Sequence, residues 1–489
     1  LSLSFKKNDL SSSQKKDKRS VWRYDLIMET ADKETTIEAM KTLIARIPSK
    51  FYADVLYDAT SSLTISKSIS DENISVLPKV SGFVCRIFDG DRWWEIGDPD
   101  ILQIETRLSR LLPKLEFSDH LTLTSIPAHR LDHELPMKVP LDSISLENKL
   151  DRLRSIYDIM RKCDSRVINP RISYRDGLLE RIFVNNEGSI LRQIIPRTRL
   201  MIMPIVREGG SIEYDYQIVA KEAGFECVDD FTSERIEKSV QNAIEFLGAK
   251  LPPSGAMPVI LDPAMSGLIA HESMGHGLEA DQVIRDRSYL KDEHSKSVAS
   301  SIVSISDSPV IPGEIGSYIF DEEGIVAKKT PLVENGVLTH YLHTRLSASI
   351  LHEEPRGNGR RQSYRHPVYP RMTNTFFEPG DMKLDEMIRD MKSGVMILKS
   401  NFGMEDPLGG GMQVGSKYGY LIENGEKTAL LKAITLSGSV LDFLKEIDGV
   451  SMGPMLLDGG QCGKGVEDFV YVTSGGVWIR SKKGIVGPG

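Results

Sequence analysis

The sequence predicts an α+β protein of two domains, and three observations carry that expectation. Up to about residue 230, helical periodicity alternates with strand-like stretches, as in Ile37, Met40, Ile44 and Ile47 followed by Val55 and Tyr57. Beyond about residue 300 the pattern is mainly strand and turn, punctuated by Glu334-Asn335-Gly336 and Glu423-Asn424-Gly425. Between them, a helical stretch over 233–248 ends in the turn Pro252-Pro253-Ser254-Gly255. The resulting division is a basic arm over 1–20, an N-terminal α/β-mixed domain with antiparallel strands over 21–230, and a C-terminal β-rich domain over 231–489.

Taken in order, the arm carries Lys6-Lys7 and Lys15-Lys16-Asp17-Lys18-Arg19. It lacks an apolar core and helical periodicity, so it reads as a solvated, flexible tail rather than a signal peptide. The chain opens on Leu1, which fits a processed, tagged or incomplete N-terminus. Helices are expected over 35–47, where Pro48 stops the pattern, over 100–113, and over 145–163 with Leu146, Leu150, Leu153, Ile156 and Met160 on one stripe. Strands are expected over 53–70, Gly82–Phe88, Arg171–Tyr174, Glu180–Asn185, Gln193–Ile195 and Leu200–Val206. The second region opens with the strand Pro258–Leu261 and then Asp262-Pro263, an N-cap residue and a first-turn proline. Short helices are expected near 384–392 and 437–447.

Composition narrows the function classes. With 40% apolar and 27% charged residues in 489, the chain resembles a soluble globular protein. No apolar run is long enough for a transmembrane helix. A net charge of −8 disfavours sequence-independent nucleic-acid binding. Four cysteines, Cys85, Cys163, Cys227 and Cys462, do not make a disulfide framework in so long a chain, and a reducing, cytoplasmic location is expected.

The helix after Pro263 carries Ala270-His271-Glu272-Ser273-Met274-Gly275-His276-Gly277-Leu278-Glu279-Ala280-Asp281. Imidazoles ligate zinc well, and a Glu beside the first ligand can act as a general base on water at the metal. The usual helical motif spaces its histidines four apart. Here the spacing is five, which on a regular helix rotates His276 about 500° from His271, about 140° off its face. The helix must therefore end, or widen into an i→i+5 turn, for both rings to converge. Gly275 stands where that departure costs least. Catalytic zinc usually takes a third protein ligand. Glu279, Asp281 and His294 are local candidates, and Cys462, within Gly459-Gly460-Gln461-Cys462-Gly463-Lys464-Gly465, is a distant one placed somewhat ahead of Asp281.

Further stretches follow in order: Thr339-His340-Tyr341-Leu342-His343-Thr344-Arg345, Gly357-Asn358-Gly359-Arg360-Arg361, Pro370-Arg371-Met372-Thr373-Asn374-Thr375, Asn401-Phe402-Gly403 and Gly409-Gly410-Gly411-Met412-Gln413-Val414. Together with His271–Asp281 and Gln461–Lys464, they resemble the TldD/PmbA family of metalloproteases, also called modulators of DNA gyrase. The resemblance is specific over 200–489 and diffuse before it. It departs after Lys464, at Gly465-Val466-Glu467-Asp468, and in the insertion Met404–Leu408. It implies a zinc endopeptidase of the catalytic type acting on unfolded or unstructured peptides, with one Zn2+ per chain. The ligands it implies are His271, His276 and Cys462, with Glu272 as the base. It further implies a dimer, either of this chain or with a related one.

His340, His343, Arg360, Gly410 and Gly411 are candidates for contact with substrate, Arg360 and Arg361 being equally suited to structural ion pairs. Glu279 and Asp281 read as acids behind the ligands or on the surface, and the remaining cysteines as structural. Two other readings stand beside the peptidase: a metal-stabilised binding or assembly subunit that needs a partner chain, and a nucleic-acid-associated regulator, which the charge argues against. Neither nucleic acid nor membrane is expected as a partner.

Overall fold

The computed structural model describes residues 32–465 and 468–489, so the basic arm over 1–20 lies outside the described residues. The first part of the chain forms a seven-stranded sheet. Its spatial order is Trp93–Asp98, Glu72–Phe88, Tyr52–Lys67, Arg171–Asn185, Ile190–Met203 and Arg130–Glu134, with Gln217–Lys221 also pairing on Ile190–Met203. Every pairing is antiparallel except that of Arg130–Glu134 with Ile190–Met203.

The strand period of two divides the work of this sheet. Val55, Tyr57, Leu63 and Ile65 face one side, where two helix pairs cover them. Lys33–Ile44 and Ile101–Leu111 bury Ile37, Met40, Ile104 and Leu108 on one half. Leu146–Cys163 and Ser233–Leu247 bury Ile156, Met160, Ile236 and Val240 on the other. Asp54 and Asp58, on the opposite side, meet the rest of the protein. There Arg86 pairs with Asp54 at 2.6 Å and Glu323 at 2.8 Å, and Arg181 with Asp58 at 3.0 Å and Glu322 at 2.6 Å.

The strands expected over 171–174 and 180–185 are one strand, Arg171–Asn185, and those over 193–195 and 200–206 merge largely into Ile190–Met203. Asp176, in the gap between the two expected strands, pairs with Lys149 on the covering helix, and Glu180, the first residue of the second, pairs with Arg192.

In the second part, five strands close into a ring. Gly255–Leu261 pairs parallel with Ser393–Glu405, which continues antiparallel through Gly411–Glu423, Glu426–Ser439 and Ile479–Pro488 back to Gly255–Leu261. Closure removes free edges from this unit. The turns Asn335-Gly336 and Asn424-Gly425 all have positive φ, as tight hairpins require. A separate six-stranded sheet runs Val337–Leu338, Thr330–Glu334, Ile305–Asp307, Asn374–Phe377, Asp468–Gly476 and Leu456–Lys464, the last lying at its edge.

The helix Pro263–Ile269 is held between ring and sheet. Met265, Ile269, Ala270 and Met274 join one core with Val395, Ile397, Val414 and Val472. Gly267 abuts Gly475 so closely that a Cβ would strike its backbone. Among the described residues no helix is long and apolar enough to cross a membrane.

Candidate metal centre

Asp262 caps the helix, its carboxylate accepting from the Met265 N–H at 2.9 Å and the Lys399 N–H at 2.9 Å. Pro263 follows as the first helical residue. The α-helix ends at Ile269, a π-helical turn spans Ala270–Gly275, and a 3-10 turn covers His276–Leu278. The His276 N–H donates to the His271 carbonyl, the i→i+5 bond that a five-residue spacing requires. The widened turn brings the two rings to a centroid separation of 5.2 Å, edge to face.

Cys462 reaches the same point from the edge strand Leu456–Lys464. Ligand atoms of His271, His276 and Cys462 all lie within 4.8 Å of one another, and Cys462 Sγ is 3.4 Å from His276 Nε2. His271 and Cys462 are buried and His276 is half-buried. The donor set suits a borderline-soft ion: two imidazoles and a sulfur. Burial pushes the Cys462 thiol up, yet the adjacent His271 and His276 outweigh this and hold it down to about 4, so it is poised as the thiolate that ligates metals. His271 Nδ1 is buried without a hydrogen-bond partner, the kind of orphaned polar atom that a metal site or its hydration accounts for.

Behind these three side chains stands Glu279, buried, with Oε2 3.4 Å from His276 Nδ1. Burial raises the Glu279 carboxyl, but Lys464 at 2.9 Å, His276 and Arg371 at 3.6 Å hold it at about 2. Arg371, fully buried, in turn donates to the Cys462 carbonyl at 2.7 Å. One carboxylate therefore contacts His276 on the widened helix and, through Arg371, the backbone of Cys462 on the edge strand. Lys464 also holds Asp281 at 2.7 Å.

Glu272 follows His271 into a cleft of about 260 Å³ whose walls include Tyr216, Lys399, Ser400, Gly459 and Gly460. The strand Ser393–Glu405 passes so close that a Cβ on Gly403 would lie 2.6 Å from Glu272 Cγ.

The other sequence candidates lie elsewhere. His340 Nδ1 is 2.9 Å from the Pro331 carbonyl, and His343 Nε2 is 3.1 Å from Glu353; neither lines the cleft. Gly410 packs against the ring of Tyr289, whose hydroxyl donates to the Ser273 carbonyl, and Gly411 pairs with Ser439. Arg360 donates to the Met372 carbonyl at 2.6 Å and lines a different cavity. His294 stands against the Thr339 carbonyl, at 2.9 Å and away from the cleft, so of the four candidates for a third ligand only Cys462 meets the two histidines. Arg371 and Lys464 stand within the motif stretches without a local signal of a role, because their contacts with Glu279 are long-range in sequence.

Comparison with known proteins identifies the family. Residues 139–251 match the PmbA/TldA metallopeptidase central domain and residues 254–480 the PmbA/TldA metallopeptidase C-terminal domain. A metalloprotease of Methanocaldococcus jannaschii is 36% identical over 344 residues, covering 70% of this chain and 75% of the relative. A zinc metalloprotease TldD homolog of Saccharolobus solfataricus is 29% identical over 346 residues, covering 70% and 76%. In fold, the chain is similar to a crystal structure from Thermotoga maritima provisionally described as a modulator of a DNA gyrase, with TM-score 0.74 and 21% identity over 92% of this chain and 100% of that one. The fold and its comparisons define a metallopeptidase scaffold. The chain belongs to the TldD/PmbA family.

Proposed function

We propose that this protein is a zinc-dependent endopeptidase acting on unfolded or unstructured peptides, with His271, His276 and Cys462 as ligands and Glu272 as general base. The observation that carries the reading is the convergence of the three ligand atoms within 4.8 Å, on elements 186 residues apart in sequence, with Glu272 adjoining in an open cleft. When bound, zinc supplies a Lewis acid that polarises a carbonyl and acidifies water.

The chain's own residues do the rest. Glu272 takes a proton from the attacking water on its carboxylate and returns it to the leaving amine. Glu279 keeps His276 oriented through Nδ1, and Arg371 fixes the Cys462 carbonyl. The edge of Leu456–Lys464, paired on one side only among the described residues, offers backbone groups to an extended peptide with little demand on its sequence. A thiolate ligand donates more charge than a third imidazole, so Cys462→His is expected to give a stronger Lewis acid and altered turnover. A dimer, with itself or with a related chain, is part of the proposal.

The test is zinc content and peptide cleavage of the wild type beside Cys462→Ser and Glu272→Gln. About one zinc per chain, lost in Cys462→Ser and kept without turnover in Glu272→Gln, is expected. No zinc after supply sinks the reading; zinc without cleavage until a related chain is added turns it into the assembly-subunit alternative.

A further inference from the structure

Resting on the peptidase reading, we infer that a second, cationic cavity beside the cleft receives a carboxylate of the peptide substrate, with Arg197 as its binding residue. The cavity, about 360 Å³, lies between the first sheet and the strands Leu456–Lys464 and Asp468–Gly476. Five arginines line it, Arg175, Arg181, Arg197, Arg360 and Arg361, against two carboxylates, Asp176 and Glu322.

Both carboxylates are already engaged: Glu322 lies 2.6 Å from Arg181, and Asp176 lies 2.5 Å from Lys149. Arg361 is held by Glu95 at 3.2 Å and by the His366 carbonyl at 2.9 Å. Arg360 spends one donor on the Met372 carbonyl and stacks over Tyr318. Arg197 is different. Its Nε and Nη2 are buried without any hydrogen-bond partner, and its guanidinium sits 5.0 Å over the ring of Tyr471. Among the described residues no carboxylate reaches it within 4.0 Å, though the buried Glu222 acts on its charge from farther away.

A guanidinium left unpaired in a cavity costs stability, and such a group is retained where an anion arrives to complete it. Burial lowers the Arg197 pKa only to about 10, so it stays cationic at neutral pH. Among the described residues its planar guanidinium makes no hydrogen bond, and Nη1, not enclosed as Nε and Nη2 are, is the nitrogen open to an incoming carboxylate. Gln461 lines both this cavity and the metal-side cleft, whose wall includes Gly459 two residues away. Through Gln461 the two spaces adjoin, so an extended peptide lying in the cleft can present a carboxylate to this cavity. The carboxylate is either the peptide's C-terminus or an Asp or Glu side chain.

The test measures binding, so it does not depend on turnover. Fluorescent neutral peptides are titrated against zinc-loaded Glu272→Gln protein as free acid and as C-terminal amide, and a Glu is stepped one position at a time along the amide. A charge-assisted pair predicts about tenfold tighter binding of one acid-bearing form. Preference confined to the free acid assigns the C-terminus; preference following one Glu position assigns a side chain. Adding Arg197→Gln brings the ratio to about one, while Arg197→Lys keeps part of it. Equal binding of acid and neutral peptides, or a preference that survives Arg197→Gln, overturns the inference. An acid preference in a wild type that cleaves nothing leaves the cavity standing and defeats only the peptidase reading.

Discussion

Glu279→Gln is the sharpest probe of how the centre is held. The substitution preserves volume and an acceptor for His276 but removes the charge that Lys464 and Arg371 face. A carboxyl held at about 2 instead of 4.5 corresponds to about 3 kcal/mol in favour of the ionised form in the folded protein. Because the folded value is depressed, this stabilisation is fully present above pH 4.5 and is lost as pH falls towards 2. Lys464 keeps Asp281, but Arg371 is left with Asp468 at 3.7 Å. The metal-free variant should therefore lose about 3 kcal/mol at pH 7 by urea unfolding, with a flatter stability profile below pH 4.5. Its zinc affinity, read by competition with a chromophoric chelator, should drop about 10- to 100-fold through the loosened His276 and Cys462. Unchanged affinity together with unchanged stability would refute the claim that this carboxylate ties the two ligand-bearing elements together.

Three further outcomes are expected. Gly275→Ala places a Cβ onto the buried Met372 sulfur and 2.9 Å from its Cγ, so thermal unfolding should reveal a loss of about 1–3 kcal/mol. Arg86→Met leaves Asp54 and Glu323 buried without their cation and should cost about 3–5 kcal/mol in denaturant, loosening the contact between the first sheet and the rest. Burial raises Asp262 to about 6 from 3.8, so the folded state holds this proton more tightly and stability falls as pH rises from 3.8 through 6; the wild-type-minus-Asp262→Asn difference in unfolding free energy should slope downward over that window and not elsewhere.

Much of the centre was legible because its signals are local. Five-residue spacing of His271 and His276 demanded a widened turn, and Asp262-Pro263 marked the helix start; both stand in the structure. Cys462 was a candidate on its glycine-rich surroundings, but its meeting with the histidines depends on strand order, which no local pattern encodes. The long strands were under-read for a related reason. Asp176 looks like a break in an apolar run until Lys149 is placed opposite it. Arg197 gave no signal at all, since what distinguishes it is the lack of a partner in three dimensions.

Cys462 lies on an edge strand, and on the proposed reading that position would tie two binding events thermodynamically. A peptide added along Leu456–Lys464 would stiffen the backbone that presents the Cys462 sulfur, and an ion drawn to that sulfur would stiffen the same backbone for the peptide. Each ligand would then raise the other's affinity by one common factor, whichever binds first. Scarce zinc would be retained best by molecules already engaged with a peptide.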